Sequence, residues 1–403
     1  MKNKRLISLD VFRGMTIAGM ILVNDPGSWS HVFAPLRHAP WHGLTPTDWV
    51  FPFFLFIVGV SIPLAFERRL SDAIPRSELL RKSIIRSITL LAIGLGLKVF
   101  HLLLQGNFSQ ESMRWVGVLH RIAVVYLGCS ILYLYTSRKA QAWIAAMILV
   151  GYCLLLGLVP VPIDDTLRTA LAAGEIKTAA GMIPLPKIHE INDSYIAANF
   201  EPGLNLAAWV DRQLVPGRLW EFTWDPEGIL STLPSLVTGI LGMFAGAWIR
   251  HAQSTQRQAA GLMTAAAIAL MAGGIWSWFM PFNKNLWSSS FTLYTAGLAA
   301  LILGAMIWLI DGERKCSRLS RPFQIFGSNA IAAYILHSLC GRPFFATFGP
   351  EGNSWSINQV FMNNLIQIGI PPNLVSLLWA LAYTTLIFCI VHQLHRRKLF
   401  LRI

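Results

Sequence analysis

Apolar stretches about twenty residues long recur along this chain, and they leave it few folds. A hydrocarbon core about 30 Å thick is crossed by about 20 helical residues at about 1.5 Å each. Ten stretches meet that requirement, at 6–24, 46–66, 83–104, 117–135, 142–160, 228–249, 259–280, 289–310, 323–340 and 374–394. The ninth is short and polar. Composition agrees: 54% of residues are hydrophobic and 13% charged, whereas soluble domains carry about a quarter charged. The expected fold class is an all-α polytopic membrane protein of about ten transmembrane helices, read as a single domain over 1–403.

A formal net charge of +13 would suit a nucleic-acid partner, but the basic residues sit in short turns between apolar runs. That is the positive-inside pattern of an inner-membrane protein, and it argues against nucleic acid. Lys2, Lys4 and Arg5 fall on one side, with Arg68, Arg69, Arg76, Arg81 and Lys82, then Arg138 and Lys139, Arg250 and Arg257. Arg314, Lys315, Arg318 and Arg321 follow, then Arg396, Arg397, Lys398 and Arg402. This side is expected to be cytoplasmic and to hold both termini, in a bacterial inner membrane with lipid around the helices. The first run contains Asp10 and Arg13 and lacks a small-residue cleavage site, so it reads as a retained helix and not a signal peptide.

One long connection, 161–227, lies on the other side and carries Trp209, Trp220 and Trp224. It is too long for a turn and is expected to be an ordered cap. Its acids outnumber its bases, which would suit an amine-bearing ligand. A smaller loop on that side, 341–372, is rich in breakers, including Gly349, Pro350, Gly352 and Asn353. The five cysteines (129, 153, 316, 340 and 389) are odd in number and lack ligand spacing, so neither a disulfide framework nor a metal site is expected.

Polar groups inside a bilayer are expensive, so residues 6–66 stand out. The first span carries Asp10, Arg13 and Asn24; the loop after it carries His31, His38 and His42; the second span opens with Asp48. Histidine titrates near neutrality and can take a proton from an amine or hydroxyl. Pro40 lies between His38 and His42, which argues against a metal pair on one helical face. Asn24 could donate to an oxyanion or cap its helix, and Asp48 could hold a histidine tautomer or cap the second helix with Thr47. Arg13 and Asn24 are eleven residues apart, about 16 Å along a helix. That length matches an extended pantetheine arm, although Arg13 could also simply pair with Asp10. Lys98 and Arg86 lie near helix ends, where snorkelling would explain them. Arg121 lies about a turn inside its span and should face a cavity or a partner. Asn329 and His337 are eight apart, roughly on one face.

Several stretches together resemble the heparan-α-glucosaminide N-acetyltransferase family, in its short bacterial form. They are RLISLDVFRG, ILVN, HAPWHGLTPTDWVFPFFLFIVGVSI, GVLHRI, FTWDPEGILSTLPSLVTGILGMFAG and PFNKNLWSSSFTLYTAG. The resemblance implies a transmembrane acyltransferase that moves acetyl from cytoplasmic acetyl-coenzyme A to the amine of a glucosamine on the far side. It puts the active histidine at His38 and its partner at Asn24, and His42 is given no catalytic role; Asp48 joins the expected catalytic set as the residue that could hold the histidine tautomer. Arg13, Arg68, Arg69 and Arg121 are expected on the coenzyme side. Asp225, Glu227, Lys284, Asn285, Trp287, Asn329 and His337 are expected on the acceptor side. Within DPEGILST, Asp225 is expected to cap the sixth helix and Glu227 to bind the acceptor. The expected partners are an amino-sugar acceptor and membrane lipid, with a homodimer left open. Two other functions fit part of the pattern: an amino-sugar transporter, and an O-acyltransferase of cell-surface glycans. His38 could act as a base, or could itself carry the acetyl group.

Overall fold

The computed structural model describes residues 6–106, 108–179, 194–313, 317–346, 348 and 355–401. Lys2, Lys4, Arg5, Arg314, Lys315, Cys316 and Arg402 lie outside the described residues, as do 180–193 of the long connection and Gly349, Pro350, Gly352 and Asn353.

The described chain is helical almost throughout, as the apolar runs require. The helices are α1 (Ile7–Asn24), α2 (Val50–Ser71), α3 (Arg76–Leu104), α4 (Val118–Tyr135), α5 (Arg138–Leu158), α6 (Asp165–Ala173) and α7 (Leu206–Leu214). They continue with α8 (Thr232–His251), α9 (Thr255–Trp276), α10 (Ser289–Met306), α11 (Ser317–Ser328), α12 (Ala330–Phe345), α13 (Ile357–Gln367) and α14 (Pro372–Arg396). A short turn, Pro46–Trp49, leads into α2. Among the described residues, nine helical stretches are long and apolar enough to cross a membrane. This is a multi-pass membrane protein.

The ninth expected span, 323–340, differs. It is two shorter helices, α11 and α12, that meet at Asn329. Asn329 is buried, and its amide donates to the carbonyl of Leu399, 3.2 Å away in the segment after α14. A polar side chain used in that way marks a break in a run whose hydrophobicity alone reads as continuous.

Glycines let α2 approach α8 and α1 approach α11 closely, as is common where backbones meet in a membrane bundle. A Cβ at Gly59 on α2 would lie 2.1 Å from the Gly239 carbonyl of α8, and one at Gly242 would lie 2.2 Å from that of Phe56. A Cβ at Gly14 on α1 would meet the Phe323 carbonyl of α11 at 1.7 Å. These contacts fix α1, which carries Arg13 and Asn24, and α2, whose entry turn carries Asp48. The start of α1 is tied down as well: both Asp311 carboxylate oxygens accept from its first amides, those of Ile7 and Ser8. This supplies partners that the first turn of a helix otherwise lacks.

The connection 161–227 is folded where it is described. Strands β1 (Val161–Pro162) and β2 (Tyr195–Ile196) pair antiparallel, and α6 and α7 pack beside them. Leu167, Ala170, Leu171 and Ile176 form a small core of their own. Trp41 joins this region to the histidine loop: it is buried edge-on against Trp224, at 4.8 Å between ring centres, and donates to the Phe200 carbonyl. The region 341–372 is not all loop, since α13 lies within it, started by a reciprocal Ser356–Gln359 cap.

Candidate active site

His38 stands on a loop without regular structure, so other elements must hold it. Asp48, at the entry to α2, does most of this. One oxygen lies 2.7 Å from His38 Nδ1. The other accepts from the amides of Ala39 and Thr45 and from the Thr45 hydroxyl. Asp48 is therefore both the helix-entry cap and the histidine's orienter; the two roles read from sequence coincide in one buried carboxylate. Thr47 holds the loop further by donating to the Pro35 carbonyl, and the Thr45 hydroxyl shares its one proton between Asp48 and the Arg37 carbonyl.

With Nδ1 turned to Asp48, Nε2 is the ring nitrogen left for chemistry. Lys284 Nζ lies 3.1 Å from Nδ1 and 3.3 Å from Nε2, so it sits against the ring and along neither lone pair. It is also 3.8 Å from Asp48. Burial weakens its hold on its proton, against the pull of Asp48 and Glu227. The loop bearing Lys284 is fixed to the histidine loop by the Gly43 amide, which donates to the Phe282 carbonyl at 2.8 Å.

His38, Asp48, Lys284 and Asn285 border a cavity of about 1080 Å³. That is at the upper end of small-molecule sites, which run about 300–1,000 Å³. Asn24 and Glu227 border it as well, and so do Arg13, Arg69 and Arg86. Asp48 and Arg69 stand twenty-one residues apart on one continuous helical stretch, about 30 Å. The cavity therefore reaches along most of the bundle, with the histidine at one end and arginines towards the other. Arg13 is held by Asp10 at 3.3 Å and by the Ser61 hydroxyl at 3.1 Å, so the Asp10 pairing and the cavity position both hold. Arg86 lies over the Tyr126 ring.

A second polar cluster closes the wall near Lys284. Arg114 makes a two-pronged contact with Asp225, at 2.6 and 2.5 Å, and also pairs with Glu227. Burial opposes the Arg114 charge, but the two carboxylates more than offset it and keep the guanidinium protonated. Asp225 is buried and does not face the cavity; it also accepts from the amides of Trp220 and Glu227. The expected helix cap is thereby corrected. The sixth span begins at Thr232 after Ser231, and Asp225 caps a turn instead, because Arg114 and two amides already claim its oxygens.

Other expected residues fall elsewhere. Arg121 does not border the cavity: it is buried, donates to the Gly228 carbonyl and Ser231 hydroxyl, and lies over the Trp287 ring. Trp287 is buried, donates to Thr238, and packs against Phe51 and Phe291. Arg68 is exposed and lies outside the cavity lining, and Asn329 serves the α11–α12 break. His337 does border the cavity. His42 does not: it contacts Asn283 at 3.3 Å, and burial lowers its proton affinity against the opposing charge of Glu201. Lys98 is tied to the carbonyls of Arg114 and Val116 and so braces the loop below Arg114. Sequence reasoning passed over Arg114 and Asp25; a lone arginine ahead of GVLHRI and a carboxylate directly after Asn24 were the available signals. Among the described residues no three His, Cys, Asp or Glu side chains gather as a metal-binding group.

A multi-pass helical bundle with a histidine–carboxylate pair at one end of a long cavity is thus the class that fold and site define. The catalytic-region model of heparan-α-glucosaminide N-acetyltransferase matches residues 5–172. The heparan-α-glucosaminide N-acetyltransferases of Homo sapiens and Mus musculus are 29% and 28% identical to the chain, over 99% of its length. The alignments cover 60% of each of those proteins, so the chain spans about three-fifths of the length of the curated relatives it matches. The chain is thus similar to the heparan-α-glucosaminide N-acetyltransferases, in keeping with the resemblance its motifs carry.

Proposed function

We propose that this protein is a transmembrane acetyltransferase. It takes acetyl from cytoplasmic acetyl-coenzyme A and places it on the amine of glucosamine, or of a glucosamine-containing saccharide, on the opposite side of a bacterial inner membrane. The observation that carries this reading is the single cavity with the His38–Asp48 pair at one end and Arg13, Arg69 and Arg86 further along it. Guanidinium groups bind phosphate through charge-assisted, often bidentate, hydrogen bonds, so the arginines suit the donor's nucleotide end. Asp48 keeps the proton of His38 on Nδ1, and Nε2 then takes a proton from the attacking amine. Asn24, Asn285 and Lys284 line the same cavity and would supply donors to a developing oxyanion. Trp29 and Trp220 border the cavity with much of their rings exposed, which suits the apolar C–H face of a pyranose. Glu227 offers a carboxylate to the acceptor's ammonium or hydroxyls.

The test uses the purified protein with acetyl-coenzyme A and a panel of amino sugars and their hydroxyl analogues. Thiol release and N-acetylated product should appear together, and only with amine acceptors. Uptake of labelled sugar into vesicles without thiol release would replace this reading with the transporter.

A further inference from the structure

A second histidine–carboxylate pair stands at the cavity's edge, with His337 in the lining and Asp25 behind it. His337, on α12, has Nδ1 2.8 Å from Asp25 Oδ2, and both side chains are largely buried. The approach is close, but its angle is poor for a hydrogen bond, and neither atom has another partner. A carboxylate and an imidazole left this way inside a helix bundle are costly, and such groups commonly serve function. The fold takes trouble to hold them. Tyr334 and Tyr383 meet the imidazole edge-on at 6.3 and 6.2 Å between ring centres. The Tyr383 hydroxyl donates to the His337 backbone carbonyl at 2.7 Å. Among the described residues, Gly341 comes against both Tyr383 and Asp25, so that a Cβ there would lie 3.1 Å from the tyrosine hydroxyl. His337 and Tyr334 both border the cavity.

Position suggests the use. Asp25 directly follows Asn24, whose side chain borders the same cavity. Asn24 and His337 line the same cavity, so a thioester bound there with its carbonyl oxygen at Asn24 could present its sulfur to His337. Acyl transfer to an amine forms a C–N bond and breaks a C–S bond. The attacking amine nitrogen gives up one proton and the sulfur leaves as a thiolate that must end as a thiol. One histidine can take a proton from nitrogen; a second can give one to sulfur.

We propose that His337, held by Asp25, is the general acid that protonates the departing thiolate, while His38 is the base on the amine side. This rests on the acetyltransferase reading above. In each turnover His38 gains a proton from the nitrogen as the C–N bond forms, and His337 loses one to the sulfur as the C–S bond breaks. Exchange with solvent through the cavity resets both, so the overall change is amine plus thioester to amide plus thiol.

The test compares donors that differ in need for that proton. Wild type, His337→Gln and Asp25→Asn would be assayed with acetyl-coenzyme A and with an S-aryl thioacetate, whose thiolate leaves unaided. General acid catalysis contributes about 10²–10⁴-fold. His337→Gln should therefore lose about 10²-fold with acetyl-coenzyme A and less than about 3-fold with the aryl donor; Asp25→Asn should show the same pattern more weakly. A binding measurement runs beside it: wild type should prefer coenzyme A to its desulfo analogue, and His337→Gln should bind both alike. Equal losses with both donors, or an unchanged preference for the thiol, would overturn the assignment. Failure of wild-type protein to transfer acetyl from either donor would instead remove the acetyltransferase reading itself.

Discussion

His38 and His42 lie four residues apart in one loop and face different environments. His38 borders the cavity against a buried carboxylate, while His42 is turned into the wall, against Asn283. The turn before α8 repeats the division: Glu227 borders the cavity, and Asp225, two residues earlier, is buried on Arg114. In both places one polar residue faces the space where a substrate would lie, and its neighbour holds the wall behind it. Residue type does not separate the members of either pair. What separates the histidines is the partner that a distant element presents, Asp48 and Lys284 for one and Asn283 for the other; Arg114 pairs with both carboxylates, and Asp225 is set apart by the amides of Trp220 and Glu227 that also hold it. Substitutions should split accordingly, with cavity residues changing kinetics and wall residues changing stability.

The largest kinetic effect is expected at His38. His38→Gln should lower kcat by about 10³-fold, within the usual range for loss of an acid–base group, and leave coenzyme A affinity within about 2-fold. Near-normal turnover would break the comparison at its strongest point. Arg13→Gln comes next. Removing a charged hydrogen-bond donor costs about 1.5–3 kcal/mol, so the KM for acetyl-coenzyme A should rise about 10- to 100-fold with the acceptor KM unchanged. Equal rises for both substrates would show that Arg13 supports the bundle and not the donor.

The fold was legible in sequence to the extent that hydrophobicity decides it. Spans of about twenty apolar residues have few alternatives in a bilayer. The exception, 323–340, breaks because Asn329 bonds to Leu399, seventy residues later, and no local pattern encodes that contact. The site was legible as a set of residue types. His38, Asn24, Asp48, Arg13, Glu227 and Lys284 were all named from the chain, and all border one cavity. A guanidinium at the depth of Arg121 needs a cavity or a partner, and the family motif GVLHRI puts it among the coenzyme-side residues. It has a partner, but in the Gly228 carbonyl and Ser231 hydroxyl, which sequence does not join to it. Arg114 was missed for the same reason, since its carboxylates lie more than a hundred residues away.

The Asp225–Glu227 pair gives a smaller and sharper test. Glu227→Gln should raise the acceptor KM about 5- to 10-fold, the loss expected for one charge-assisted hydrogen bond in a partly open site. Asp225→Asn should instead lower Tm by several degrees and leave the surviving protein with near-normal kinetics. The reverse outcome would exchange their roles.

A wall residue also predicts a pH effect. Asp211, on α7, is buried, with one oxygen on the Ile229 amide. Burial raises its pKa to about 7, helped by Asp225 and opposed by that amide and by Arg121 and Arg212. An unfolded carboxyl ionises near pH 4, so between about 4 and 7 the folded state binds the extra proton. Stability should fall as pH rises through that window. Asp211→Asn should flatten the fall, read as Tm against pH, and an unchanged slope would assign it to other groups.

The smallest effect is expected at His42, and it tests whether the loop is divided as described. His42→Ala removes a contact to Asn283, but that side chain keeps its second bond, accepting from the Leu286 amide at 2.8 Å. Trp41, buried beside it, stays anchored on Phe200. The loop should therefore keep its course, and His38 its hold on Asp48. Turnover should remain within about 2-fold, with Tm lower by no more than a few degrees, the usual cost of one modest hydrogen bond. A loss as large as that of His38→Gln, in protein that still elutes as a folded species, would mean that both histidines serve the reaction. The division between lining and wall would then fail in the loop where it was drawn most clearly.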